Sequence, residues 1–402
     1  MKRLLVVLFL LVWGLAAAQT SLRVVIAEYS GLTGPFFQDV AADFQRAHPD
    51  IEVRIEVVPW DLLFMRLTTD IAGGRAPDIS IIGTRWLAEF VAEGLAEPLD
   101  AFMTDAFRGQ FIEAFLTPSI LDGKTYGLPV AASVRAFYYN KDLFEAAGIT
   151  EPPVSWDELR EAARRIVEET DAFGFGLQGG EIEADVYWYY ALWTFGGDIL
   201  TDDGQSGINS PEAVAAAEFY RQLIRDGLTQ PGPTAYGRED LQELFKAGRL
   251  GMMITGPWFI GHLAAEAPDL NYGVAALPFK ERPATMGVTD TIMMFSTSRA
   301  KEAAWQFLEF AFQPEYRFRF TQGEGMLPVL KAVAEDLYFA EHPRLGTIVD
   351  LLPHARFAPI VPEWERIADI TVRALQLVYL EQAPPEQALN EAAEQINRIL
   401  GR

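Results

Sequence analysis

Short β-branched runs and helical periodicities alternate along the first part of the chain. Leu22–Ala27 (LRVVIA) is short and rich in β-branched residues, which predicts a strand. In Phe36–His48 the apolar residues Phe36, Phe37, Val40, Ala41 and Phe44 recur at helical spacing, and the His-Pro-Asp at 48–50 stops the helix. Ile51–Val58 (IEVRIEVV) alternates apolar and charged residues, as a half-buried strand does. Asp61–Ala72 has helical spacing closed by Gly73-Gly74. The stretch APDISII then predicts a third strand, and Trp86–Glu93 a helix ended by Gly94. Strand, helix, strand, helix, strand predicts an α/β layer with a parallel sheet.

The texture changes after Leu121. DGKTYGLPV combines a turn with a short hairpin-like piece, and VRAFYYN reads as one aromatic strand. In EPPVSWDELREAARRIVEE, Ser155 is the expected N-cap of a helix and Glu158 completes a capping box. DDGQSGINSPEAVAAAEFYRQLI repeats that logic, with an Asp-Gly turn, Ser210 as cap and Pro211 at the first helical position. Helices are predicted at Arg238–Ala247, Lys301–Phe312 and Glu386–Leu400. The apolar run GMMITGPWFI stops at Gly256-Pro257, where a strand must end, and presents Trp258 as the chain leaves the sheet. Strand ends are where ligands bind in open α/β sheets; the alternative is one more core aromatic.

Composition narrows the class. Lys2 and Arg3, the apolar run Leu4–Leu15 and Ala16-Ala17-Ala18 before Gln19 predict a cleaved secretory signal peptide over residues 1–18. With no cysteine, disulfides, thiolate metal sites, a cysteine nucleophile and a lipid-modified cysteine anchor are excluded. A free, exported, periplasmic protein is expected. The formal charge of −23 makes nucleic acid and anionic membranes poor partners. No phosphate loop, nucleophile elbow or zinc-protease helix is present. The four histidines (His48, His262, His342, His354) lack metal-ligand spacing, so neither a metal nor another cofactor is called for. TDDGQSG mimics part of a calcium loop but lacks its closing Glu, and reads as a hairpin turn. A glycosidase needs only two carboxylates from distant positions, so a secreted glycoside hydrolase stays open as the enzyme alternative.

The segments FQRAHPDIEVRIEVVPW, AGGRAPDISII, WLAEFVAEGLAEPLD, LDGKTYGLPV, FYYNKDLFEAAGI, SWDELREAARRI, GGDILTDDGQSGINSPEAVAAAEF, FKAGRLGMMITGPW and KEAAWQFLEF together resemble the extracellular solute-binding proteins of ABC importers. The likeness is to the carbohydrate-binding family that includes maltose- and trehalose-binding proteins. It implies an α/β, two-lobed periplasmic-binding-protein fold, each lobe a mostly parallel sheet flanked by helices, joined by a multi-strand hinge. It further implies one lobe from residues 19–130 with 286–329, and another from 131–285 with 330–402. The function implied is a non-enzymatic, monomeric receptor that closes on a carbohydrate and delivers it to the membrane permease of an ABC importer.

A sugar offers hydroxyls in its ring plane and apolar C–H faces, so it calls for planar polar groups and aromatic platforms. The resemblance places such groups at Glu28 after the first strand, Trp60 after the second, Asp78, and Arg85 with Trp86 after the third. It makes Trp258 the stacking residue of the second lobe. Trp188, in the aromatic helix DVYWYYALW, is a further candidate if one face of that helix lines the cleft. Two departures bear on specificity. Where relatives often carry an acid before YYN this chain reads AASVRAFYYN, with Ser133 and Arg135, and Asp290 in MGVTDTIMMF lies near the position of a family tryptophan. These two residues could instead pair with each other across the hinge. Arg85 and Arg135 leave an anionic or phosphorylated ligand open. Adjacent tyrosines at 138–139 raise ferric iron, but neighbouring strand residues face opposite ways.

Overall fold

The computed structural model describes residues 19–180 and 183–402; the signal peptide expected over residues 1–18 lies outside the described residues. In chain order the strands are β1 (Thr20–Glu28), β2 (Ile51–Pro59), β3 (Ile79–Gly83), β4 (Ile120–Leu121), β5 (Lys124–Thr125), β6 (Leu128–Val134), β7 (Ala136–Asn140), β8 (Phe173–Phe175), β9 (Leu250–Thr255), β10 (Tyr272–Ala275), β11 (Thr285–Met294) and β12 (Ala355–Arg356). They form two principal sheets, with β4 and β5 as a small separate hairpin. The molecule is accordingly a two-lobed α/β protein.

The larger sheet has the order β12-β11-β3-β1-β2, with β6 added on β11. Strands β1, β2 and β3 are parallel, with Thr20 opposite Ile51 and Glu28 opposite Pro59. Val24, Val25, Ile26 and Ala27 are all fully buried, as expected of a strand covered by helices on both faces. Edge strand β2 instead carries Glu52, Arg54 and Glu56, charges that blunt further edge pairing. Strand β11 runs antiparallel to both β3 and β6, and its register shifts at Asp290, opposite Gly83 on one side and Ala131 on the other. A bulge of this kind re-aims a side chain.

The smaller sheet, β10-β7-β9-β8, is mixed, contrary to the mostly parallel sheet expected for that lobe. Strands β10 and β9 are antiparallel to β7, and only β8 and β9 are parallel. The cause lies at Arg135, where VRAFYYN does not form one strand. Residues 128–134 end in the larger sheet and 136–140 begin the smaller one. Arg135 is therefore the crossover residue between the lobes.

Most predicted helices fall within a few residues of their expected ends, at Thr33–Ala47, Trp60–Ala72, Thr84–Ala92, Arg238–Lys246, Lys301–Ala311 and Pro385–Ile399. Ser155 and Ser210 cap their helices by accepting from Glu158 N–H and Ala213 N–H, both at 3.2 Å. Glu158 reaches back to Val154 N–H at 2.8 Å rather than to the cap residue itself. TDDGQSG is a hairpin turn: Thr201 N–H donates to Gln205 C=O at 2.8 Å, and Leu200 bridges Ser206. The helix Trp364–Tyr379, not anticipated from periodicity, packs on Pro385–Ile399 and Pro211–Arg225. Among the described residues no helix is long and apolar enough to cross a membrane.

Candidate ligand-binding site

Parallel strands β1, β2 and β3 all end at the same edge of the larger sheet. That edge delivers Glu28, Tyr29 and Trp60 to one side of a cleft, and Thr84, Arg85 and Trp86 to the grooves beside it. The smaller sheet faces it with Trp258, which follows β9, and with Arg238 and Gln242 from the helix Arg238–Lys246. The floor is the crossover segment, with Ala131 to Ser133, Arg135, Val288 and Asp290. About 770 Å³ of space, open solvent included, lies within the mouth and interior of the cleft.

Aromatic faces line both walls. Tyr29 stacks on Trp60 with ring centroids 6.1 Å apart, and Trp60 stacks on Trp86 at 5.5 Å. Trp86 is 7% exposed and backs Trp60. Trp258 is half-buried, with the Arg135 guanidinium 4.9 Å and that of Arg238 5.3 Å from its ring centroid. Gly256 makes this possible, because a Cβ there would lie 2.0 Å from a carbon of the Trp258 ring. Gly325, at φ +64°, faces the same turn, where a Cβ would lie 3.1 Å from the Trp258 Cα. Gly256→Ala should therefore displace the indole and lower stability by about 1–3 kcal/mol; chemical denaturation of the variant checks this, and a wild-type midpoint would refute it.

The charges form a linked set. Glu183 accepts from Arg238 at 2.6 Å and lies 3.7 Å from Arg135. Burial pushes the Glu183 carboxyl up, but Arg238, Arg135 and Arg85 together outweigh it and hold the group below the usual carboxylate range. Arg238 is also paired with Glu239 at 2.6 Å. Arg135 donates to Ser133 at 3.2 Å. It does not pair with Asp290, whose Oδ2 instead accepts from the Tyr29 hydroxyl at 2.9 Å. Asp290 is 7% exposed, and its Oδ1 has no hydrogen-bond partner among the described residues. Burial pushes its carboxyl up to about 7, with Tyr29 opposing and Glu183 adding to the rise.

Of the sequence-predicted residues, the structure brings Glu28, Trp60, Arg135, Trp258 and Asp290 together in this cleft. Arg85 and Trp86 line an adjoining groove between the helices Trp60–Ala72 and Trp364–Tyr379. There Arg85 is committed to Glu365, with a second contact at 3.2 Å, and to Asp185 at 3.5 Å. Two residues lie elsewhere. Asp78 precedes β3, at the opposite sheet edge, where it accepts from Arg23 N–H at 2.9 Å and the Ser298 hydroxyl at 2.6 Å. At roughly 3.3 Å per residue, β3 itself separates Asp78 from the cleft. Trp188 is fully buried, as are all nine residues of the helix Val186–Thr194, which is apolar all round and belongs to the core. Of the tyrosine pair, Tyr138 is fully buried and donates to Gly256 C=O at 2.8 Å.

Sequence reasoning did not single out Tyr29, Glu183 or Arg238. Arg238 had a readable signal: it opens a helix, the end that disfavours cations, so another partner had to hold it. Glu183 had a fainter one, as a charge between Gly179-Gly180 and an all-aromatic helix.

The sequence pattern of the bacterial extracellular solute-binding proteins matches residues 30–318. A binding protein of Brucella abortus (strain 2308) is 54% identical over 381 residues, covering 94% of this chain and 93% of the relative. The maltotriose-binding protein of Pyrococcus abyssi (strain GE5 / Orsay) is 29% identical over 338 residues, covering 81% of this chain and 70% of the relative. The solved ABC transporter solute-binding protein of Thermotoga lettingae TMO, bound with α-D-tagatose, superposes with a TM-score of 0.88 at 27% identity, covering 95% of this chain and 100% of its own. Maltose-bound MalE3 of T. maritima gives 0.86 at 26% identity, covering 94% and 100%.

Proposed function

We propose that this chain, which belongs to the bacterial extracellular solute-binding proteins, captures a neutral carbohydrate between its lobes and delivers it to an ABC importer. The ligand is a sugar, an oligosaccharide or a small glycoside. The observation that carries the reading is the pairing of aromatic walls, Trp60 and Trp258, with planar polar groups at Glu28, Glu183, Arg135 and Asp290 in one cleft. Aromatic faces pack on sugar C–H surfaces, while the planar groups meet the hydroxyls. Similarity to proteins that bind maltotriose, tagatose and maltose supports the same class.

Charge argues against the anionic alternative. The cleft holds Arg135 and Arg238 against Glu28, Glu183 and Glu239, and both arginines are already engaged by Glu183. Among the described residues an anion would meet no unpaired arginine there and would be repelled by the remaining carboxylates. Arg85 is likewise neutralised by Glu365 and Asp185.

In this reading the lobes follow the expected bounds, 19–130 with 286–329 and 131–285 with 330–402, except that residues 131–134 and strand β12 join the sheet of the first lobe. The lobes close about the crossover at Arg135 and strand β11, and the closed form is what the permease subunits engage. The protein returns its ligand unchanged and acts as a monomer outside the inner membrane.

A thermal-shift screen on ligand-stripped protein tests the reading, using neutral mono- and disaccharides, glycerol glycosides, uronates, sugar phosphates and ferric citrate. A ligand at a thousand times its Kd stabilises by about 4 kcal/mol. Neutral sugars should raise the midpoint. A rise confined to uronates and sugar phosphates would overturn the neutral-ligand reading.

A further inference from the structure

We propose that Asp290 holds a proton in the sugar-free cleft and releases it when a sugar hydroxyl bonds its Oδ1, so that capture is coupled to pH. The inference rests on the carbohydrate reading above and extends it to the residue that stands near a family tryptophan position.

Geometry carries the argument. Asp290 sits at the register shift of β11, which turns its side chain into the cleft between Gly83 of β3 and Ala131 of β6. One oxygen, Oδ2, takes the Tyr29 hydroxyl at 2.9 Å, while buried Oδ1 has no partner among the described residues. A buried carboxylate with one oxygen unbonded is costly as an anion. The titratable and charged groups that face it come from several elements: Tyr29 after β1, Glu183 before the aromatic helix, Arg135 at the crossover and Arg238 from its helix. Glu183 opposes a second negative charge, and it also holds both arginines. These surroundings favour the neutral acid, consistent with a carboxyl pushed up to about 7 by burial. A hydroxyl donated to Oδ1 forms a charge-assisted bond, which favours the anion. The proton then passes from Asp290 to solvent, one for each sugar bound.

Two measurements on the full mature chain test this, each with Asp290→Asn, which keeps the shape and the Tyr29 contact but cannot titrate. The first is the unfolding midpoint of sugar-free protein from pH 5 to pH 8. A folded-state carboxyl raised above its ordinary value stabilises the protein less as pH rises through that window. Wild type should lose midpoint relative to the variant; parallel profiles would overturn the proposal. The second is calorimetric titration with D-tagatose, maltose and maltotriose in buffers of different ionisation enthalpy. Wild type should release close to one proton near pH 6 and bind up to about tenfold more weakly per pH unit below 7. The Asn variant should release none. His262→Gln, which removes the one histidine lining the cleft, should leave the release intact; its loss there would move the effect to His262 and overturn the proposal. Sugar binding without proton release would overturn it as well. If no neutral sugar of the thermal-shift panel binds while the sugar-free profiles differ, the carbohydrate reading fails and the protonated Asp290 stands.

Discussion

Glu183→Gln is expected to be among the most destabilising single substitutions in this protein, at about 3–5 kcal/mol near neutral pH. The variant keeps the side-chain shape and the left-handed backbone at position 183, where φ is +66°. What it removes is the negative charge between Arg238 at 2.6 Å and Arg135 at 3.7 Å. Arg135 is 2% exposed and would be left without an anion, a burial that costs far more than the original pair contributes. The sign of the pH dependence is fixed by the same contacts. The Glu183 carboxyl is held below its ordinary value, so its contribution is complete above the unfolded pKa near 4.5 and disappears as pH falls through the lower folded value. Denaturant titrations of both proteins should therefore differ widely at pH 7 and converge in strong acid. The variant should also gain stabilisation from sulfate or a uronate, because Arg135 would then lack its counter-charge and Arg238 would keep only Glu239. A stability within about 1 kcal/mol of wild type, with no response to anions, would show that Glu183 does not set the charge of the cleft.

How much of this was legible in the sequence depends on whether the signal is local. The helices at 33–47 and 238–246 and strands β1 to β3 were readable because each buries one face or run through residues adjacent in the chain. Glu28, Trp60 and Trp258 were readable because a strand end is itself a local feature, and strand ends of parallel sheets converge. The break at Arg135 was not, since VRAFYYN has the apolar pattern of one strand and only its partners decide where it divides. Asp78 failed for a related reason. Position beside a strand is local, but which sheet edge that position faces depends on strand direction, and Asp78 begins a strand whose far end meets the cleft. Trp188 failed because an all-apolar helix carries no periodicity to separate a core face from a cleft face. The ion pairs Arg135–Glu183 and Arg85–Glu365 join residues 48 and 280 positions apart, and no spacing rule reaches that far.

Trp258→Ala should weaken sugar binding by about 10–1000-fold, the range spanned when a central aromatic anchor is truncated. The ring does two jobs at once. Its face supplies apolar area for a sugar, and its π-system holds the guanidinium groups of Arg135 and Arg238 at 4.9 and 5.3 Å. Removing it therefore loses stacking area and loosens both arginines that would meet the hydroxyls. The two contributions separate experimentally. Trp258→Phe retains an aromatic face of smaller area and should fall between wild type and the alanine variant in affinity. Trp258→Leu retains apolar bulk without a π-system and should behave more like alanine. Because Trp258 is half-buried rather than a core residue, all three variants should fold, and calorimetric titration with a sugar identified by the thermal-shift screen reads the difference directly. Unchanged affinity in Trp258→Ala would remove the second lobe's wall from the contact surface. Recognition would then rest on Trp60 and Tyr29 across the cleft, whose stacked rings already form a continuous platform with Trp86 behind them.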